Sequence, residues 1–474
     1  MTSLKFGTSG LRGLVTELPD SVCAAYTRAF LTHLIGAHGV KAGMRLLIGY
    51  DLRDSSPRMA AACMSAAAAL GMDIENCGPL PTPALAARAL GLRAPAIMVT
   101  GSHIPADRNG LKFYRPDGEI DKADEAGIIA ALPQDGAADE PPVAASADWP
   151  VDRSALDAYR ARCASILAAG SLDGRRIGVY QHSAVGRDLL ADVLGALGAD
   201  VVTLGRSDSF IPIDTEALRA EDIEFALRAC REEKLDALVS TDGDADRPLV
   251  ADETGTFLRG DTLGLLTAHH VGADAVVTPV TSNTAIEQSH LFQKVYRTKV
   301  GSPFVIEGMQ LAAANGCKRI VGFEANGGVL LGSAIASDTG TIAALPTRDA
   351  MLPILAVLGM AAGQGQPVSA LAASLPARFT RSGRIEHVDA ARSTPFLDSL
   401  TGEAVRNAFF ADLGPVEDHD CIDGVRVVLE SGEVVHYRAS GNAPELRCYA
   451  EAASGARADE LLNWGLARAA GAIA

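Results

Sequence analysis

The sequence predicts an α/β protein: three similar α/β domains with mixed, largely parallel sheets, followed by a C-terminal α+β domain. Three observations predict it. Apolar runs of strand length are followed by helix-patterned segments and then by further apolar runs. That order recurs three times along the chain. Near residue 370 the alternation gives way to strand-rich sequence.

The first unit opens with RLLIGYD (45–51), an apolar run of buried-strand type. SPRMAAACMSAAAALG (56–71) follows as an alanine-rich helix, with Ser56 expected at the N-cap and Pro57 at the first helical position. DIENCG (73–78) reads as the next short strand. The order returns at RRIGVYQH, SAVGRDLLADVLGALG and ADVVTLG (175–205). It returns again from DAVVTPV through FVIEGMQLAAANG to KRIVGFE (274–324), with an irregular stretch inside. Between the first two units QDGAADEPPVAASADWP (134–150) is polar, rich in Pro and Ala and without periodicity, as a linker or long surface loop would be. Beyond residue 370, ARFTRSGRIEHV, CIDGVRVVLESGEVVHYRAS and PELRCYAEAAS read as strands, with a hairpin turning at Ser431-Gly432. ARADELLNWGLARAA closes the chain as an amphipathic helix. These boundaries give domains at 1–150, 151–255, 256–370 and 371–474.

Bulk properties narrow the function. The 474-residue chain carries a net charge of −16, which argues against nucleic acid or an anionic membrane as partner, since both need a basic face. A small anionic substrate remains compatible, because a few arginines in one cleft can dominate locally. The opening MTSLKFGTSG lacks a basic segment followed by an apolar one, so no secretory leader is expected. The eight cysteines stand singly, without a C-x-x-C pair. They are expected to be small buried hydrophobes in a reducing cytoplasm.

Five stretches carry chemistry. In AIMVTGSHIPADRNGLKFY (96–114) an apolar strand ends on Ser102 and His103, with Lys112 shortly after; function concentrates on such strand-end loops. In LDALVSTDGDADRPLVAD a strand runs into Asp242, Asp244 and Asp246. Three carboxylates at alternate positions repel one another, and a loop containing Gly243 can fold them around one hard cation such as Mg²⁺ or Ca²⁺. An EF-hand beginning at Asp242 would place Glu253 correctly at position twelve, but Arg247 stands where that loop needs glycine. In RIVGFEANGGVL, Glu324 and Asn326 can address adjacent sugar hydroxyls, though a plain strand-capping turn explains them equally. In YRASGNAPELRCYAEA, Arg438, Ser440, Gly441 and Asn442 are expected in one turn, with Arg447 following. Backbone amides, a hydroxyl and guanidinium groups together suit a phosphate, and an ordinary turn suits them as well. Arg12 lies between glycines in FGTSGLRG, placed either to meet a ligand or in a plain loop.

Taken together and in order, FGTSGLRG, TGSHIPADRNGLK, DGDADR, GFEANGG and RASGNAP resemble the α-D-phosphohexomutase superfamily, in its phosphomannomutase/phosphoglucomutase branch. The resemblance runs the length of the chain and implies four domains around a central cleft, the first three sharing one α/β core. By similarity Ser102 is the phosphoserine, and Asp242, Asp244, Asp246 and a phosphoserine oxygen hold Mg²⁺. Arg247 and Arg12 attend the transferred phosphate, and Glu324 and Asn326 meet sugar hydroxyls. Arg438, Ser440, Gly441 and Asn442, with Arg447 and Lys299, bind substrate. His103 and Lys112 stand beside the phosphoserine as candidates for acid/base help, and a lysine serving as base would need a depressed pKa. Ile104 replaces an asparagine more usual in the serine loop. Phe-Glu-Ala-Asn-Gly-Gly replaces a sugar loop that often carries serine and histidine, which leans toward phosphomannomutases over dedicated phosphoglucomutases.

The function this implies is interconversion of a hexose 1-phosphate and 6-phosphate, mannose and then glucose. A hexose 1,6-bisphosphate would serve as intermediate and activator, and the expected partner is a small-molecule hexose phosphate. A phosphoglucosamine mutase is the nearest alternative. A metal-dependent sugar phosphatase and a catalytically silent sugar-phosphate sensor stand behind it.

Overall fold

The computed structural model describes residues 4–7, 10–133, 149–337, 339–440 and 444–473. Three of its sheets share one motif. In the first, Asp73–Pro79, Arg45–Tyr50 and Ala96–Val99 lie side by side in parallel, and Arg108–Arg115 adds antiparallel to the last. In the second, Asp200–Arg206, Arg176–His182 and Ala237–Thr241 are parallel, and Pro248–Ala251 adds antiparallel. In the third, Lys294–Thr298, Ala275–Pro279 and Ile320–Phe323 are parallel, and Val329–Leu331 adds antiparallel. The internal repeat is therefore a repeat of topology, although residue identity between the units is weak.

The strands read as continuous apolar runs because both sheet faces are covered. Leu46, Leu47 and Ile48 are all fully buried, with Leu47 on one side of the sheet and its two neighbours on the other. One apolar cluster runs from Leu47 and Leu85 through Val179 and Val239 to Val276 and Leu355, which joins the first three domains. The helix Met351–Gly363 is apolar on all sides and buries ten of its residues, eight of them in that cluster, as a helix apolar all round must. The fourth domain is an antiparallel five-stranded sheet, in the order Phe379–Glu386, Glu445–Ala452, Val434–Ala439, Val425–Leu429 and Val416–Asp420. It packs against the closing helix Gly455–Ala472. Val425–Leu429 and Val434–Ala439 form the expected hairpin.

Several expectations change. The helix after the first strand begins at Ser56 with Ser55 at the N-cap, so Pro57 occupies its second position. Ser56 does not cap; its hydroxyl donates to Asp51 Oδ1 at 2.6 Å. Arg438 lies in the strand Val434–Ala439, opposite Arg447, and not in the turn. Six cysteines are buried as expected, but Cys317 is half-buried and Cys421 is exposed. Residues 134–148 of the expected linker, and Gly441 and Asn442 of the expected phosphate turn, lie outside the described residues.

Candidate active site

The three chemistry-bearing loops occupy the same place in the three repeated sheets. Each connects the third parallel strand to the antiparallel fourth. Residues 100–107 carry Ser102, residues 242–247 carry the aspartates, and residues 324–328 carry Glu324 and Asn326. Parallel sheets present ligand sites at the carboxyl ends of their strands, and three equivalent ends converge here.

Ser102 is 1% exposed and has a left-handed backbone with φ of 52°. Such a conformation at a non-glycine residue costs about 1–2 kcal/mol and must be held by its surroundings. Arg53 does the holding. Its guanidinium donates to the carbonyls of Ser102, Ile104, Pro105 and Arg108 at 2.6–3.0 Å. Asp51 accepts from Arg53 Nε at 3.2 Å and from Thr100 Oγ1 at 2.7 Å, and Thr100 Oγ1 accepts from the Ser102 amide at 2.8 Å. Phe210, from the second domain, lies over the Arg53 guanidinium at 3.9 Å.

The serine hydroxyl donates to Asp242 Oδ2 at 2.6 Å, and His103 Nδ1 is 3.3 Å from it. Gly243 permits this approach between domains: a Cβ there would stand 2.8 Å from both the Ser102 carbonyl oxygen and the Phe210 ring. Asp244 Oδ2 accepts from Thr82 Oγ1 and Lys112 Nζ, each at 2.6 Å. Asp246 Oδ2 accepts from Lys112 Nζ at 2.8 Å and from Arg348 Nε and Nη2 at 3.1 and 3.0 Å. Arg348 Nη1 donates to Glu324 Oε1 at 3.1 Å and also to Ser302 Oγ. Asn326 Oδ1 accepts from the Gly328 amide at 3.0 Å, so its carbonyl stabilises its own turn.

The aspartates fit a hard cation. One carboxylate oxygen from each lies within 4.8 Å of those of the other two. Asp244 Oδ1 and Asp246 Oδ1 are buried with no hydrogen-bond partner. Unpaired buried carboxylate oxygens are costly, and an oxygen-seeking divalent ion would satisfy them. The electrostatics agree. Burial, then Asp244 and Asp246, push the Asp242 carboxyl well above its usual range. Asp246 is held below its usual range: burial would raise it, but Arg348, Lys112 and Arg247 outweigh burial.

Around the serine the field is positive. Burial, then Arg247 and Arg348, lower the Arg12 guanidinium to about 10. Burial, then Arg247 and Arg12, push the His103 imidazole far down, so it is neutral. Guanidinium groups crowded until they repel form a receptacle for an anion. Lys112 departs from expectation. Burial would lower its pKa, but Asp244 and Asp246 raise it, so it is a charged donor to these two carboxylates.

A second group lies where the third domain meets the fourth. Asp423 Oδ2 accepts from Arg438 Nε at 2.7 Å and from the Val300 amide at 3.0 Å. It thereby joins the expected phosphate arginine to the loop that begins at Lys299. Lys299 is exposed, with Nζ 5.8 Å from the centre of the Phe304 ring. The Ser440 amide donates to the Glu445 carbonyl at 3.0 Å, and Arg447 pairs with Glu445 at 2.8 Å.

The structure therefore gathers Ser102, His103, Lys112, the three aspartates, Arg247, Arg12 and Glu324 into one centre. It links Arg438 through Asp423 to Val300, next to Lys299, at the junction of the third and fourth domains, with Ser440 and Arg447 near Arg438 in the fourth. Sequence reasoning missed Arg348, Asp51, Arg53, Thr82, Ser302 and Phe210. Only Asp51 and Arg53 left a signal, as an acid–base pair directly after the first strand of the motif.

Comparison with known proteins agrees with this geometry. Four family models match in order: phosphoglucomutase/phosphomannomutase domain I over residues 3–138, domain II over 157–255, domain III over 259–379 and the C-terminal domain over 393–463. A phosphomannomutase of Sinorhizobium fredii is 48% identical over 98% of both chains. One of Salmonella muenchen is 44% identical over 96% of this chain and 93% of its own. A phosphoglucosamine mutase of Brucella anthropi is 32% identical over 78% of this chain and 80% of its own. Among solved structures, a phosphoglucomutase/phosphomannomutase family protein from Burkholderia thailandensis superposes with a TM-score of 0.76 at 20% identity, covering 98% and 96% of the two chains. Aspergillus fumigatus N-acetylphosphoglucosamine mutase, in complex with GlcNAc-6P and magnesium, gives 0.63 at 15% identity, covering 99% and 96%. The same enzyme has also been solved with glucose 1,6-bisphosphate. At these identities the structural matches speak for the fold.

Proposed function

The chain belongs to the phosphoglucomutase/phosphomannomutase family, and from that premise we propose that it interconverts mannose 1-phosphate and mannose 6-phosphate, with glucose phosphates as second substrates. The observation that carries this reading is Ser102 Oγ, buried 2.6 Å from Asp242, beside His103 in the field of Arg12, Arg247 and Arg348, in a chain 48% identical to a phosphomannomutase along almost its whole length.

The reaction is two phosphoryl transfers. In the first, the Oγ–P bond of phosphorylated Ser102 breaks, and a P–O bond forms to the free hydroxyl of the hexose monophosphate. The hydroxyl proton leaves to a base, and the departing serine oxygen takes up a proton and is again a hydroxyl. The sugar, now a 1,6-bisphosphate, turns over in the cleft. The same steps then run in reverse with its other phosphate, which returns to Ser102. Such transfer needs positioning and charge neutralisation more than covalent assistance. Asp242, Asp244, Asp246 and a phosphoserine oxygen would hold Mg²⁺, which neutralises phosphoryl charge when bound. Arg247 and Arg12 share that role from the protein side. His103, 3.3 Å from Ser102 Oγ, and Lys112, beside Asp244 and Asp246, are the two groups placed to carry the proton, and the charge of an arriving phosphate would favour a protonated imidazole. Lys112 keeps the aspartate loop in place. Glu324 reads sugar hydroxyls, and Arg438 exchanges Asp423 for the phosphate that is not transferred.

The test is a parallel assay with Mg²⁺ and catalytic hexose 1,6-bisphosphate on mannose 1-phosphate, glucose 1-phosphate and glucosamine 1-phosphate. Conversion of the first two to 6-phosphates without free phosphate is expected. Free phosphate alone would indicate a phosphatase, and conversion of only the amino sugar would indicate a phosphoglucosamine mutase.

Two variants separate the roles. Asp244→Asn is expected to lose Mg²⁺-dependent turnover, because it removes charge from the buried triad. A wild-type magnesium titration would contradict the metal assignment. Arg438→Ala is expected to raise KM about tenfold or more, with kcat changed much less, since it removes a contact held in ground and transition states alike. A loss confined to kcat would contradict that role.

A further inference from the structure

Away from the catalytic centre, two helices of the first domain bring together a second group of metal-ligand type. His33 lies one turn before the end of the helix Asp20–Ala37, and His38 is the residue that caps that helix. Asp124 is the third residue of the helix Lys122–Ala130. His33 Nε2 and His38 Nε2 each lie 2.8 Å from the same oxygen, Asp124 Oδ1. The potential ligand atoms of all three residues lie within 4.8 Å of one another.

The details are those of a built site. Asp124 presents Oδ1 alone, because Oδ2 is held by Arg115 Nη1 at 2.8 Å and by the Asp121 amide at 3.0 Å. Ligating carboxylates are oriented in this way by their outer partners. Gly127, one turn on from Asp124, gives the His33 ring its seat, since a Cβ there would overlap Nδ1 and Cε1. A glycine inside a helix costs about 1 kcal/mol relative to alanine, and here it makes room for an imidazole. Leaving the helix at residue 38 brings a side chain five positions on to the same side as His33. The carbonyl end of the helix Asp20–Ala37 adds partial negative charge where a cation would sit. Asp124 is 3% exposed, but His33 and His38 are 16% and 26% exposed, so solvent can reach the group and complete a coordination shell.

We propose that His33, His38 and Asp124 bind a divalent transition-metal ion of the zinc class, which ties the end of the helix Asp20–Ala37 to the first turn of the helix Lys122–Ala130. Two imidazoles and one carboxylate suit zinc and its neighbours and not magnesium. The aspartates beside Ser102 are all-oxygen ligands and suit a hard ion. The two sites thus select different metals. They meet on one strand, Arg108–Arg115, whose Lys112 and Arg115 belong to opposite faces by the two-residue period of a strand.

The experiment uses the full-length enzyme with excess Mg²⁺ to occupy the aspartates. Zn²⁺ is titrated against a chromophoric chelator, and Co²⁺ is followed by visible absorption. Wild-type protein is expected to bind one equivalent of Zn²⁺ that the His33→Gln/His38→Gln variant binds at least about tenfold more weakly. The intense absorption of four-coordinate cobalt is expected in wild type and lost in the variant, while mutase turnover in Mg²⁺ alone stays the same. Should the double variant fold poorly by circular dichroism, His38→Gln alone, beyond the helix and half-exposed, carries the comparison. Equal Zn²⁺ binding by wild type and variant, or no binding at micromolar Zn²⁺, would overturn the site.

Discussion

Ser102→Ala is expected to reduce turnover on the order of 10⁴-fold or more while leaving the protein folded. The hydroxyl oxygen is the proposed carrier of the phosphoryl group, and the other hydroxyl of that loop, Thr100 Oγ1, is taken up by Asp51 and the Ser102 amide. His103 is neutral and lies beside the serine, so it could receive a proton but has no comparable anchorage for a phosphate. The cost to the fold is small. Serine already sits at φ of 52°, so alanine meets the same backbone strain. Asp242 loses one hydrogen bond yet keeps the Asp246 and Arg247 amides on Oδ1, each at 3.2 Å. Loss of that single bond costs about 1–3 kcal/mol at most, and Mg²⁺ offsets part of it. The check is the mutase assay together with incubation in labelled hexose 1,6-bisphosphate, followed by recovery of the protein. Wild type retains label on Ser102 and the variant retains none. Normal turnover in the alanine protein would sink the assignment.

Much of this centre was legible because its residues stand on loops between apolar strands, where their type is not dictated by packing. Ser102, Asp242 and Glu324 interrupt runs of buried aliphatic residues, so each announces itself. The common position of the three loops was not legible, because it is a property of strand order and not of residue identity. Arg348 could not be found in the sequence at all. It stands in LPTRDA on the short strand Leu345–Asp349, and nothing local marks it as different from a solvated arginine. Its partners Asp246 and Glu324 are 102 and 24 residues away. Arg438 shows the opposite failure. The sequence read as a turn because Ser440 and Gly441 lie nearby, but cross-strand pairing with Arg447 carries the strand through Ala439. Long-range hydrogen bonding decides such endings, and local composition does not.

Replacing Arg348 is the other change with a large expected effect, and it reaches both stability and catalysis. The guanidinium is buried and spans Asp246, Glu324 and Ser302, which come from the second and third domains. Arg348→Ala leaves two carboxylates buried without their shared cation, a change that costs about 3–5 kcal/mol. It also frees the sugar loop from the aspartate loop, so kcat is expected to fall along with Mg²⁺ affinity. The pH dependence of stability distinguishes this from simple loss of packing. Arg348 is a leading cause, burial aside, of the low pKa of Asp246. A carboxyl whose folded pKa is depressed contributes stability above its unfolded pKa, near 4, and loses that contribution as the pH falls toward the folded value. The gap in stability between wild type and Arg348→Ala, measured in chelator, should therefore be widest near neutral pH and shrink below about pH 4. A packing defect would give a gap that does not change with pH. Arg348→Met, which keeps most of the buried volume, should show the same pH-dependent gap as alanine. A methionine variant as stable as wild type would show that the guanidinium fills space and does not hold the two loops by its charge.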